Sequence, residues 1–135
     1  MERQALILCT ENSARSQMAE AIARSLAPAG TRIWSAGSRP TSLRPEAVTV
    51  LAEIGLDARG LRAKSVSEIP AAEVDTAITL CAEEECPVFL GPVVARLHWG
   101  LPDPAAATGS EDERLAAFRQ VRDELSRRIA ELFRS

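Results

Sequence analysis

The sequence predicts an α/β fold, a parallel sheet with helices on both faces. Two observations carry that expectation. Short apolar runs alternate with segments of helical periodicity, the pattern of strands joined by crossover helices. The residues best able to do chemistry, Cys9, Cys81 and Asp103, each fall just after an apolar run. A parallel sheet gathers such groups beyond the carboxyl ends of its strands. The length of 135 residues suits one domain, expected to span residues 1–135, and a hydrophobic content of 46% supplies its core without disulfides.

Residues 4–8 form a short apolar run that reads as a buried strand. A helix is expected over residues 16–27, where Ala19, Ile22, Ala23 and Leu26 recur at helical spacing before Pro28 and Gly30 end it. Residues 32–35 read as a second strand, followed by a loop through Pro40. Pro45 opens a second helix, because a helix start needs no N–H from its first residue. Ala47, Leu51 and Ile54 line its inner face, and Gly55 stops it. Residues 74–80, rich in β-branched and apolar side chains, are the third strand, and Pro87, Gly91 and Pro92 break the chain after it. Residues 95–99 are the fourth. Ser110 with Glu113 makes a capping box for a long last helix, whose core positions are Leu115, Phe118, Val121, Leu125, Ile129 and Leu132.

The net charge of −3 and pI of about 5.3 argue against nucleic acid as a partner. Arg122, Arg127, Arg128 and Arg134 are interleaved with Glu124 and Glu131, the pattern of a solvated helix face. No apolar run approaches the roughly 20 residues that span a bilayer. Residues 5–8 are too short a stretch for a signal peptide. A cytoplasmic setting is therefore expected, where thiols stay reduced and three cysteines make no permanent framework.

The most informative stretch is Cys9-Thr10-Glu11-Asn12-Ser13-Ala14-Arg15-Ser16, between the first strand and the first helix. Five residues between Cys9 and Arg15 let the loop curl, so that its N–H groups and the helix N-terminus bind a tetrahedral anion. Arg15 adds a charged fork for two anion oxygens. The same field favours a thiolate at Cys9, and Ser16 is placed to donate to it. Asn12 suits a left-handed turn. A bare Cys-x5-Arg spacing arises by chance; its placement between strand and helix makes it specific.

The stretch from Cys9 to Glu20 resembles the signature of thioredoxin-coupled arsenate reductases, which share the fold of low-molecular-weight protein tyrosine phosphatases. The resemblance continues through Ser35-Ala36-Gly37, Thr79-Leu80-Cys81, Cys86-Pro87, His98-Trp99-Gly100 and Asp103-Pro104. It implies a flavodoxin-like, four-stranded parallel sheet. It also implies a cycle. Cys9 attacks arsenate, Cys81 releases arsenite by forming a Cys9–Cys81 disulfide, and Cys86 takes over that bond as a redox-active Cys81–Cys86 disulfide for thioredoxin. No bound cofactor is implied, and phosphate or sulfate would act as analogues. A monomer is expected. The four residues between Cys81 and Cys86 are fewer than relatives often have, which leaves open whether thioredoxin or another thiol is the reductant.

Other readings stand beside this one. Asp103 before Pro104 is good turn chemistry, and the resemblance makes it a general acid. Cys81, Cys86 and His98 offer three zinc ligands but no fourth at a familiar spacing, so no metal is assigned. In some relatives a monovalent cation lies beside the loop. Asn12, Glu20 and Ser35 match such positions, but no acidic residue does so near Lys64-Ser65, and no cation site is assigned. The loop and Asp103 would equally serve a low-molecular-weight phosphatase, although a chain without tyrosine lacks the aromatic usual after the acid, where Ala105 follows Pro104. A thiol redox sensor would leave Arg15 and Asp103 without a task. His98 and Trp99 are expected to pack beside the site.

Overall fold

The computed structural model describes residues 3–81 and 93–134. Four strands, β1 (Arg3–Cys9), β2 (Thr31–Gly37), β3 (Thr76–Cys81) and β4 (Ala95–Leu101), form one sheet in the order β2-β1-β3-β4. All neighbours are parallel. Three α-helices accompany them: α1 (Arg15–Leu26), α2 (Pro45–Glu53) and α3 (Glu111–Leu132). Each predicted strand and helix is present, with ends shifted by a few residues.

Alternation along the strands sorts the core into two layers. Ala5 and Ile7 of β1, Ile33 of β2 and Ile78 of β3 face one side, where Met18, Ile22, Val50, Leu51, Phe118, Leu125 and Ile129 of the three helices pack on them. Leu6 and Leu8 of β1, Ala36 of β2 and Ala77 of β3 face the other. That side is covered by Ile69 and Val74, beside the short 3₁₀ turns Val66–Glu68 and Ala71–Glu73. Among the described residues, helical segments thus lie on both faces, α-helices on one and 3₁₀ turns on the other; the latter have no periodicity that a sequence reading detects.

Two expected core positions lie at the surface. Leu26 and Ile54 are 44% and 43% exposed, because each is at the frayed end of its helix beyond the reach of the sheet. Val50 takes the place of Ile54 on the inner face of α2. The Ser110–Glu113 capping box forms as expected.

From β1 the chain steps one way to β2, and β3 lies on the opposite side of β1. The reversal opens a crevice above the carboxyl ends of β1 and β3, the place where parallel sheets bind ligands. Cys9 ends β1 and Cys81 ends β3, so the two cysteines flank that crevice. Beside them Cys9 is paired with Gly37, the last residue of β2. A Cβ on Gly37 would stand 2.4 Å from the Thr10 carbonyl oxygen and 3.0 Å from the Asn12 nitrogen. Only glycine permits that approach between two backbones.

Helices α2 and α3 are tied by a carboxylate held between two guanidinium groups. Glu53 Oε2 receives Arg119 at 2.7 Å, and Glu53 Oε1 receives Arg122 at 2.8 Å. Arg122 also donates to the Val50 carbonyl at 2.9 Å, which satisfies the end of α2. Hydrogen bonding from Arg119, aided by Arg122, pulls the Glu53 carboxyl from an ordinary 4.5 down to about 2.

Two outcomes follow. Gly37→Ala must part β2 from the loop after β1, and urea denaturation should show a loss of about 1–3 kcal/mol. Glu53 has a lowered folded-state pKa, so its contribution is present above pH 4.5 and is lost as pH falls toward 2. Denaturation of wild type and Glu53→Gln should therefore differ at pH 7 and converge near pH 2, with the difference shrinking in high salt.

Candidate functional site

The segment from Cys9 to Ser16 wraps the end of β1 into the first turn of α1. Its shape is set by where its carbonyls go. Thr10 O accepts from Arg39 N at 2.9 Å, Glu11 O from Thr41 N at 3.0 Å and Ser13 O from Arg44 N at 2.9 Å. Asn12 O accepts from the Gln17 side chain at 2.9 Å. Four successive carbonyls are thus engaged on the outside of the curve. In a trans peptide the N–H points opposite to the C=O. The amides therefore turn toward the inside, as a nest for an anion requires.

Asn12 makes the bend. Its φ of 51° is the one positive value among non-glycine residues described. The side chain is fully buried, and every hydrogen-bonding valence it has is used. Its Nδ2 donates to Ser16 Oγ at 2.7 Å and Ser35 Oγ at 3.0 Å. Its Oδ1 accepts from Lys64 N at 2.8 Å and Gln17 Nε2 at 3.1 Å. Three parts of the chain, α1, β2 and the segment at Lys64, converge on this one amide.

Helix α1 begins at Arg15 without a side-chain cap and without an acidic residue in its first turn. Its N-terminal partial charge is left for a bound group. Arg15 is 3% exposed and anchored by its Nη1 to Leu101 O at 2.8 Å and, more weakly, to Leu80 O at 3.4 Å. These carbonyls belong to the ends of β4 and β3, so the sheet itself aims the guanidinium.

Asp103 caps a 3₁₀ turn, Pro104–Ala106, and its Oδ1 accepts from Ala105 N at 3.0 Å. Its Oδ2 lies 4.0 Å from Arg15 Nη2. The turn role and a role facing the loop are therefore filled by different oxygens of one carboxylate. Cys9, Thr10, Glu11, Ser13, Ala14, Arg15 and Asp103 line a small hollow of about 20 Å³. Beside it opens a polar cleft of about 550 Å³ shared by Glu11, Ser13, Asp103 and residues Thr41 to Pro45. No aromatic side chain lines either space among the described residues.

Cys9 is buried and carries a thiol rather than half of a disulfide. Cys81 is buried and disulfide-bonded. Thr10 Oγ1 lies 3.9 Å from Cys81 Sγ, which ties the loop to the neighbouring strand end. The expectation for Cys86 falls outside the described residues. His98 does not join this group: it is exposed and bonds Thr79 at 2.6 Å on the outer part of the sheet. Trp99 packs against the core instead, with Arg128 6.0 Å from its ring centre. Among the described residues no cluster of His, Cys, Asp or Glu could hold a metal ion.

The sequence reading overlooked Gln17, Lys64 and the strap of residues 39–44. Gln17 and Lys64 bond Asn12, and the strap bonds the loop carbonyls. Only Gly37, which marks a close backbone approach, offered a local signal. Gln17 lies only 5 positions from Asn12, but Lys64 is 52 positions away and, like the strap, carries no motif.

Residues 4–135 match the low molecular weight phosphotyrosine protein phosphatase family. An arsenate reductase of Bacillus subtilis is 40% identical over 126 residues, 92% of this chain and 90% of that protein. One from Bacillus licheniformis is 41% identical over 124 residues, 90% of this chain and 88% of that protein. Among solved structures, an arsenate reductase in the phosphate binding state superposes with a TM-score of 0.81 at 29% identity, covering 98% of this chain and 97% of that one. A thioredoxin-dependent arsenate reductase of Corynebacterium glutamicum has a TM-score of 0.73 at 26% identity, over 97% of this chain and 60% of that one. Shared sequence along almost its whole length and a shared fold place the chain in the low molecular weight phosphotyrosine protein phosphatase family.

Proposed function

We propose that this chain, as one domain, reduces arsenate to arsenite. The loop from Thr10 to Ser16 binds the oxyanion through its inward amides, and Arg15 neutralises two of its oxygens. The Cys9 thiolate attacks arsenic(V) and a sulfur–arsenic bond forms. An arsenic–oxygen bond breaks, and Asp103 supplies the proton with which that oxygen leaves as water.

The Cys81 thiolate then attacks the Cys9 sulfur. The electron pair of the sulfur–arsenic bond stays on arsenic, which departs as arsenite, and a Cys9–Cys81 disulfide forms. Cys86 attacks Cys81, freeing the Cys9 thiolate and leaving a Cys81–Cys86 disulfide. Two electrons from a dithiol such as thioredoxin, or from another thiol, return the enzyme to its starting state. A cytoplasmic setting would keep that supply available.

One observation carries the reading beyond anion binding: Cys9 and Cys81 end adjacent strands across the crevice, with Thr10 bridging toward Cys81 at 3.9 Å. Phosphoester cleavage would use the same loop and Asp103 but leave Cys81 without a task. The absence of an aromatic wall in the described cleft disfavours an aryl phosphate.

The test is arsenate-dependent NADPH oxidation with thioredoxin and thioredoxin reductase. Cys9→Ser, Cys81→Ser and Cys86→Ser should each fall to background. Asp103→Asn should lower kcat on the order of 10²–10⁴-fold. An inactive wild type that cleaves an aryl phosphate through Cys9 alone would make this a phosphatase.

A further inference from the structure

Beneath the loop lies a buried ion pair that the reaction above does not use. Lys64 Nζ stands 3.2 Å from Glu20 Oε1, with the two side chains 10% and 1% exposed. Glu20 meets one other charged group, Arg24 of its own helix, whose Nη2 is 2.9 Å from Oε2 and whose side chain is half exposed. Lys64 Nζ also donates to Arg62 O at 2.8 Å. The lysine backbone is built into the same place. Lys64 N donates to Asn12 Oδ1 at 2.8 Å, and Lys64 O accepts from Gly37 N at 2.9 Å.

The hydrogen bonds from this pair run in one direction. Asn12 Nδ2 donates to Ser35 Oγ at 3.0 Å, and Ser35 Oγ donates to Glu20 Oε1 at 2.5 Å. A serine hydroxyl has one proton and two lone pairs, so Ser35 gives its proton to Glu20 while it accepts from Asn12. An ionised carboxylate this deeply buried needs a counter-charge. On the Oε1 side that charge is the lysine ammonium.

We propose that Lys64 is a positioning residue for the loop: its ammonium pairs with the buried Glu20 side chain, and Glu20, through Ser35, holds Asn12 in the left-handed turn that converges the loop amides on the anion. The proposal rests on the reading of Cys9 to Ser16 as the anion site. Lys64 does not line the hollow, and its ammonium reaches Asn12 through Glu20 and Ser35. The charged groups that do face the hollow, Arg15, Glu11 and Asp103, are unchanged by its substitution.

The experiment uses the full chain carrying Cys81→Ser and Cys86→Ser, so that Cys9 is its one thiol. Sulfate affinity is measured by calorimetry, and Cys9 alkylation by iodoacetamide is followed against pH. Lys64→Met should weaken sulfate by roughly tenfold or more and move the alkylation midpoint up by about one unit, since amides that no longer converge stabilise neither anion nor thiolate. In Lys64→Ala, added ethylammonium should restore much of both, and choline at equal ionic strength should not. If Lys64→Met does not fold, Glu20→Leu/Lys64→Met, which removes both buried charges and the acceptor for Ser35, should show the same two deficits.

A folded Lys64→Met, or that double variant in its place, within twofold of the parent in both measurements overturns the proposal. So does a weakened Lys64→Ala that ethylammonium leaves unchanged. A parent protein that binds no sulfate overturns the reading of the loop, and this proposal with it.

Discussion

The side chain of Asn12 is the constraint on which the site depends. It is a buried amide with all its donors and acceptors satisfied, on a residue whose backbone is in the left-handed region. Alone, that backbone state is unfavourable for a residue with a side chain. It persists because α1, β2 and the segment at Lys64 each fix one side of the same amide. The bend in turn decides the direction of the neighbouring peptides, and the strap of residues 39–44 then locks their carbonyls outward. Anion affinity in such a loop is a property of the surrounding chain as much as of the loop.

What was legible in the sequence follows from the range of the interactions involved. Cys9, Asn12 and Arg15 could be read because one strand, one turn and one helix hold them within a few residues. The capping box at Ser110 could be read for the same reason. That the strands form one parallel sheet came from alternation and from the resemblance together, whereas their order was seen only in the structure. Leu26 and Ile54 were misplaced because periodicity says which face a residue is on but not where the helix outruns its neighbours. Lys64 was unreadable, since a lysine in a polar segment looks solvated until its distant carboxylate is known. Cys86 was named from sequence, and its place lies outside the described residues.

The architecture also relates two chemistries that share a cradle. On the proposed reading, a loop that carries a cysteine, an arginine aimed by strand-end carbonyls and an aspartate at a turn bind and attack a tetrahedral oxyanion. Nothing in that set distinguishes phosphorus from arsenic. What differs on the proposed reading is the pair Cys81 and Cys86, the first of which ends β3, across the crevice from the nucleophile. The sheet order makes the last residue of β3 a neighbour of the loop whatever its identity. Electron transfer needs no new scaffold there, only sulfur in place of another atom.

The two tryptophans have a bearing on how this molecule can be watched. Trp34 is on β2 and Trp99 on β4, the two outer strands of the sheet, and the chain has no tyrosine. Ultraviolet emission therefore comes almost wholly from two indoles on opposite flanks of the crevice. Each has its own surroundings: Trp34 donates to Gln4 and lies under Arg32, 4.9 Å from the ring centre, whereas Trp99 packs on the helical face near Arg128. Removing either leaves a native optical reporter for one flank. Motion at the β3–β4 side, where the second cysteine sits, can then be separated in time from motion at the β2 side, where the loop is braced.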